Sequence, residues 1–211
     1  DRSHWRLAGI LGADDARPTA GLAVDLGTTR IVLALVDLAD GRLLGEASCD
    51  NPQTAVGPDI LTRIHYAAAE GGAARLQTLV REALNTQAAD LCQSAGITPH
   101  DIYLAALAGN TAMTHLFLGL NPQRMIREPY IPVVNRPGVL GAATLGLEVN
   151  PHAQVLVFPN IGSYFGGDLI AGILFADLDR AAEVSLLVDV GTNAEVVLGQ
   201  RDWLIGCAGA A

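Results

Sequence analysis

Asp25-Leu26-Gly27-Thr28-Thr29 follows the apolar run Gly21-Leu22-Ala23-Val24 and leads into Ile31-Val32-Leu33-Ala34-Leu35-Val36. Near the other end, Asp189-Val190-Gly191-Thr192-Asn193 follows Leu186-Leu187-Val188 and leads into Glu195-Val196-Val197-Leu198. Both read as apolar strand, acid, Gly-Thr turn, apolar strand. Aligning Val24 with Val188 pairs Asp25 with Asp189, Gly27 with Gly191, Thr28 with Thr192 and Val32 with Val196. A Gly-Thr turn between strands offers consecutive backbone N–H groups and hydroxyls, a concave donor set that binds phosphate oxygens without a cationic side chain. The reading expects Gly27 to be glycine because a backbone approaching phosphate has no room for a Cβ. The preceding acid is repelled by phosphate but holds Mg²⁺, usually through water, and the Mg²⁺ bridges phosphate oxygens. Gly27, Thr28, Thr29, Gly191, Thr192 and Asn193 are therefore the candidate phosphate grips, and Asp25 and Asp189 the candidate metal holders. A lone turn of this kind is common. Two in matching contexts predict two hairpins facing one nucleotide, where positioning and charge neutralisation supply most of the catalysis of phosphoryl transfer.

Bulk properties narrow the rest. With 211 residues, half of them hydrophobic and 17% charged, the chain is long enough to bury a core and too apolar to be disordered. A net charge of −9 argues against nucleic acid or an anionic membrane as a main partner. All 13 basic residues are Arg. The absence of Lys excludes a Walker A loop, a protein-kinase strand lysine and Schiff-base chemistry. Cys49, Cys92 and Cys207 are far apart and form no zinc or iron–sulfur spacing, as suits incidental thiols in a reducing cytoplasm. The apolar runs are too short to span a bilayer and no signal peptide is visible. The chain opens on Asp1 rather than Met, which suggests a piece of something longer.

Residues 1–20 read as a linker or edge segment. After the first hairpin, Asp40-Gly41 turns into a third strand over Arg42–Ala47, completing a meander. Pro58 and Asp59 open a helix running to about Ala69, ended by Gly71-Gly72. Leu76, Leu79, Val80, Ala83, Leu84, Leu91 and Cys92 recur at helical spacing, capped by Gly96. Ile102–Leu107 has the continuous apolar character of a central strand covered on both faces. It ends at Gly109-Asn110, where Thr111 starts a short helix. The Pro- and Gly-rich stretch 121–150 predicts loops with a short strand and a small helix near Ala142. Gln154–Phe158 is a further strand, and the turn Gly162–Gly167 opens a helix at Asp168. A second meander begins near residue 184. The whole predicts an α/β fold with a mixed sheet flanked by helices, not a doubly wound dinucleotide fold.

Two further residues are candidate catalytic groups. Asn110 either faces the cleft or simply caps a helix. Asp168 either complements the helix dipole or stands near the γ-phosphate or attacking water. His115 reads as packed rather than catalytic.

DLGTT and DVGTN resemble the first and second phosphate motifs of the superfamily of sugar kinases, seventy-kilodalton heat-shock chaperones and actin. The helix from Gly166 to Leu178 is similar to its first connecting segment. AGNTAMTHLFLGLNP, PNIGSYFGGDLIAGIL and LLVDVGTNAEVVLG more specifically resemble the ATPase domain of ferredoxin-type reductive activators of corrinoid proteins, over nearly all of residues 21–211. The resemblance implies a ribonuclease H-like, actin-like ATPase fold, with a first lobe over 21–180 and the opening strands of a truncated second lobe over 181–211. It implies Mg-ATP as cofactor, a [2Fe–2S] cluster only in a missing upstream domain, and a corrinoid protein or cobalamin-dependent methyltransferase as partner. Strand edges left uncovered in such a fragment favour a homodimer. The other readings are a small-molecule kinase of the same fold, which needs an acid where Asn110 stands, and a non-enzymatic actin-like scaffold.

Overall fold

The computed structural model describes residues 7–10, 12, 17–191 and 193–210, with 193 and 210 by their backbone alone. Most of the segment before Ala20, including Trp5, lies outside these residues. Its described part has no helix or strand: Gly9 lies against the Tyr103 ring, and Arg17 pairs with Asp101 at 3.2 Å.

Strands β1 (Ala20–Leu26), β2 (Arg30–Asp37) and β3 (Leu43–Asp50) form the expected antiparallel meander. It joins a six-stranded sheet of order β3-β2-β1-β4-β6-β5. Here β4 (Ile102–Gly109) runs parallel to β1, β6 (Gln154–Val157) parallel to β4, and β5 (Gly138–Gly141) antiparallel to β6. Strands β7 (Ser185–Val190), β8 (Asn193–Gln200) and β9 (Trp203–Ala210) form a second meander of their own. Its β8–β9 turn falls at Arg201-Asp202.

The alternation of β2 sends Ile31, Leu33 and Leu35 to one face, where all three are fully buried. They meet Leu76, Val80, Leu84 and Leu91 of helix α2 (Gly72–Ser94), which packs across β2 and β3. Burial of each such side chain stabilises the fold by roughly 1.5–3 kcal/mol.

Helix α1 (Ile60–Ala67) is shorter than its sequence pattern suggests. Asp59 is its N-cap rather than part of its first turn, accepting from the Thr62 N–H at 2.8 Å. The Gly71-Gly72 pair opens α2 rather than merely ending α1. Gly71 takes φ +74°, and a Cβ on Gly72 would collide with the Tyr66 carbonyl, so the pair lets the two helices turn sharply against each other.

The reading of β4 as covered on both faces is corrected. Leu104 is 41% exposed and Leu156, on neighbouring β6, is 39% exposed. The apolar run is central in the sheet, and Ile102, Ala105 and Leu107 join the main core while Leu104 does not. The remaining helices are α3 (Thr111–Phe117) and α4 (Gly167–Phe175), with short 3-10 turns at Gln123–Ile126 and Ala143–Leu145 in the Pro- and Gly-rich stretch. Among the described residues no helix is long and apolar enough to cross a membrane. Helix α4 contacts both β4 and β7, and Leu169, Leu178 and Val197 form a small core between α4 and the second meander.

Candidate functional site

Three chain reversals meet at one end of the main sheet: the β1–β2 turn, the β4–α3 junction and the entry to α4. Glycines permit the approach. A Cβ on Gly109 would lie 2.7 Å from the Leu26 carbonyl oxygen. One on Gly166 would collide with the Asn110 Cα, and one on Gly167 would lie 2.7 Å from the Phe158 Cβ. Gly27 is required for a different reason from the one the sequence suggests. Its Cβ would strike the carbonyl of Arg30 within the same turn, so the tightness of the hairpin excludes a side chain before any ligand does.

The turn is held from two sides. Asn110 donates from Nδ2 to Thr28 Oγ1 at 2.9 Å and accepts at Oδ1 from the Met113 N–H at 3.0 Å. It thus caps α3 and grips the hairpin together, so the two readings of Asn110 are not exclusive. Asn51 is the residue that sequence reasoning missed. Fully buried, it donates from Nδ2 to the Gly27 carbonyl at 2.8 Å, and its backbone N–H donates to the Thr29 carbonyl at 2.7 Å. Its only sequence signal was the Asn-Pro break after β3. Among the described residues no partner accepts from the N–H groups of Gly27, Thr28 or Thr29, which leaves three consecutive donors in one turn.

Asp25 lies one residue before the end of β1, opposite Val32. Asp189 lies one residue before the end of β7, but the residue opposite it is Glu195. The alignment of Val32 with Val196 is therefore corrected: Val196 pairs with Val188, because the second hairpin turns one residue sooner. In a pleated ladder a one-residue change of register exchanges the two faces. It places a second carboxylate on the side of Asp189, where the first hairpin carries a valine. Like charges directly opposite each other are unfavourable. Gly191 follows β7 and is exposed; Thr192 and the Asn193 side chain lie outside the described residues.

Carboxylates gather at the gap between the two meanders, and Asp25, Asp168 and Glu195 each feel the charge of neighbouring acids. Asp168, in the first turn of α4, has its pKa pushed up from 3.8 to about 6, chiefly by burial and further by the charges of Asp25 and Asp189. The Leu169 N–H, donating to its Oδ1 at 2.9 Å, opposes this rise. Asp25 keeps an exposed surface, yet the protein around its carboxyl displaces enough water to raise its pKa, with the Asp189 charge adding to the effect. The Glu195 pKa is also raised, first by burial and then by Asp168 and Asp189. The gap is thus short of positive charge. Among the described residues no three His, Cys, Asp or Glu side chains are gathered closely enough to hold a metal directly.

Beside the carboxylates lies an open cavity of about 590 Å³, walled by Asp59, Ile64, Asn110, Met125, Tyr164 and Glu195 among others. His115 takes no part. Fully buried, it has Nδ1 2.7 Å from the Thr111 carbonyl, while Nε2 accepts from the Val133 N–H at 3.1 Å, so it pins a loop as a neutral ring. The cysteines are free: Cys207 is exposed, Cys49 half-buried, and burial pushes the Cys92 thiol up to about 11.

A meander continued by parallel strands, repeated as a second meander across an acidic gap, defines the actin-like ATPase fold. The family described as "RACo middle region" matches residues 20–181, and that described as "C-terminal domain of RACo the ASKHA domain" matches 183–211. The chain belongs to the RACo family. It is 35% identical over 188 residues to the "Corrinoid activation enzyme RamQ" of Eubacterium limosum, a match covering 88% of this chain and 31% of that protein. A solved structure titled "Reductive activator for corrinoid, iron-sulfur protein" superposes with a TM-score of 0.90 at 40% identity, covering 94% of this chain and 32% of the other. The chain thus spans about a third of the length of these relatives.

Proposed function

We propose that this chain forms the phosphate-gripping part of an ATP-driven reductive activator that returns a Co(II) corrinoid to Co(I). The observation that carries the reading is that Asp25 and Asp189, on two like hairpins, both bear with their charges on the half-buried carboxylate of Asp168. The donor nest at 27–29 and the uncompensated carboxylates fit Mg-ATP. Gly27, Thr28 and Thr29, with Gly191, Thr192 and Asn193 of the second motif, would bind phosphate oxygens. Asp25 and Asp189 would hold Mg²⁺ through its water shell. The ion would neutralise charge on the phosphates during transfer to water. Asp168, protonated more readily than an ordinary aspartate, would accept a proton from an attacking water. Asn110 keeps the first turn in register rather than touching the reacting atoms.

In this reading residues 21–180 are the first lobe and 181–211 the opening strands of the second. Closing of the two lobes on ATP is the two-state element that nucleotide would bias. The partner is a corrinoid protein or a cobalamin-dependent methyltransferase, and a ferredoxin-type [2Fe–2S] domain supplies electrons from elsewhere in the protein. The setting is cytoplasmic, and two copies pair through uncovered sheet surface. The test is Mg-dependent ATP hydrolysis and Co(II) reduction by the intact protein. Asp25→Ala and Asp189→Ala should each abolish both. Unchanged hydrolysis in both variants would sink the reading.

A further inference from the structure

We infer that Arg63 is a positioning residue for the first phosphate turn, acting through a closed ring of buried polar contacts that begins and ends on residues 27–29. The inference rests on the nucleotide reading above and adds a residue that none of the phosphate motifs contains.

The ring is continuous. From the turn, Asn51 holds the Gly27 and Thr29 carbonyls, and Asn51 Oδ1 accepts from the Gln53 N–H at 3.0 Å. Gln53 Oε1 then accepts from Arg63 Nη1 at 3.4 Å, while Gln53 Nε2 donates to the Leu76 carbonyl of α2 at 2.9 Å. The same Nη1 lies 3.3 Å from Met113 Sδ. The Met113 N–H is capped by Asn110, and Asn110 returns to Thr28. Thr28, Asn51, Gln53, Arg63 and Met113 are all buried. Arg63 itself is 0% exposed, and its Nε donates to the Gly57 carbonyl at 2.8 Å.

An arginine in this position needs an explanation. It cannot shed its proton, and a buried charge is costly without a compensating partner. Among the described residues no carboxylate forms an ion pair with Arg63; burial disfavours its charge, the Asp59 carboxylate only partly offsets this, and Nη2 has no hydrogen-bond partner. A side chain serving only to fill space between α1 and α3 would be better as leucine or methionine. The guanidinium instead joins the Asn51–Gln53 arm to the Met113–Asn110 arm through the two hydrogens of Nη1, while Nε, held by the Gly57 carbonyl, fixes the plane of the group. It also sets a fixed positive charge near a site whose other titratable groups are acids.

The experiment uses the intact protein. Mg-ATP affinity is measured by calorimetry for wild type, Arg63→Met and Leu84→Ala, the last being a core truncation remote from the ring that lowers the melting temperature as a control. Arg63→Met should weaken Mg-ATP binding by about tenfold or more, the scale of one buried charged hydrogen bond. Leu84→Ala should stay within about twofold of wild type even where its loss of stability is as large. Equal binding by Arg63→Met and wild type overturns the inference, as does an equal loss in the control. Should Arg63→Met not fold, the Arg63 Nε–H resonance of the wild type is followed by NMR. A shift on saturation with Mg-ATP supports the ring, and an unmoved signal overturns it. A wild type that binds no Mg-ATP overturns the nucleotide reading and this inference with it.

Discussion

Replacing Asp168 by asparagine should make the protein more stable and less active. Asp168 titrates near 6 in the folded chain against an ordinary value of 3.8. Between these values the native state holds a proton that the unfolded chain has released. Stability therefore falls as pH rises through this window and stays lower above about 6. At about 1.4 kcal/mol per pH unit, the difference between 3.8 and about 6 amounts to ~3 kcal/mol of destabilisation at pH 8. Asp168 keeps part of its surface in water, which screens the effect, so ~1–2 kcal/mol is the expected gain for Asp168→Asn. Asparagine preserves the bond that matters locally, because its Oδ1 still accepts from the Leu169 N–H. The assay is urea unfolding of wild type and variant at pH 4, 6 and 8. The difference should be largest at pH 8 and vanish at pH 4. Equal stabilities at pH 8, or a difference that grows on acidification, would refute the reasoning that burial and neighbouring carboxylates strain this group. Mg-ATP hydrolysis by the same variant of the intact protein should fall by about 10²-fold or more, as expected for loss of a proton acceptor.

Other outcomes follow from the same geometry. Gly166→Ala drives a methyl group into the Asn110 Cα, so the melting temperature should drop by the equivalent of about 1–3 kcal/mol, with nucleotide affinity lost alongside. Asn51→Ala leaves the Gly27 carbonyl buried and unpaired and should cost about 1–3 kcal/mol in chemical unfolding. Burial holds the His115 pKa below its ordinary 6.5, so its contribution to stability is present above that value and lost as pH falls below it. His115→Phe should flatten this acid-side loss, and an unchanged profile from pH 7 to 5 would contradict the neutral, loop-pinning role.

Much of this was legible in the chain itself. The period-two pattern of Ile31, Leu33 and Leu35, the helical spacing of Leu76, Val80 and Leu84, and the repeated Asp-x-Gly-Thr turn are local signals, set by the alternation of strand and helix faces. They sufficed for a mixed α/β sheet and two matched hairpins, because each depends on residues within a few positions of one another. What they could not carry was pairing between distant segments. The register that sets Glu195 rather than Val196 across the second hairpin depends on how many residues the turn consumes, and a turn one residue shorter looks almost the same in sequence. The exposure of Leu104 depends on which helices dock on the sheet. The reach of Asn51 to Gly27 spans β2 and β3, and the ring through Arg63 closes only when α1, α3 and the turn after β3 pack together. By itself the sequence determined the strands, the turns and the acids at their ends. Only the tertiary structure decided that those acids crowd one another, that Gly27 is excluded from bearing a side chain by its own hairpin, and that a buried arginine of α1 is linked through Gln53 and Met113 to the first turn. Close approach and burial are properties of the packed chain, and they govern both the pKa of Asp168 and the burial of Arg63.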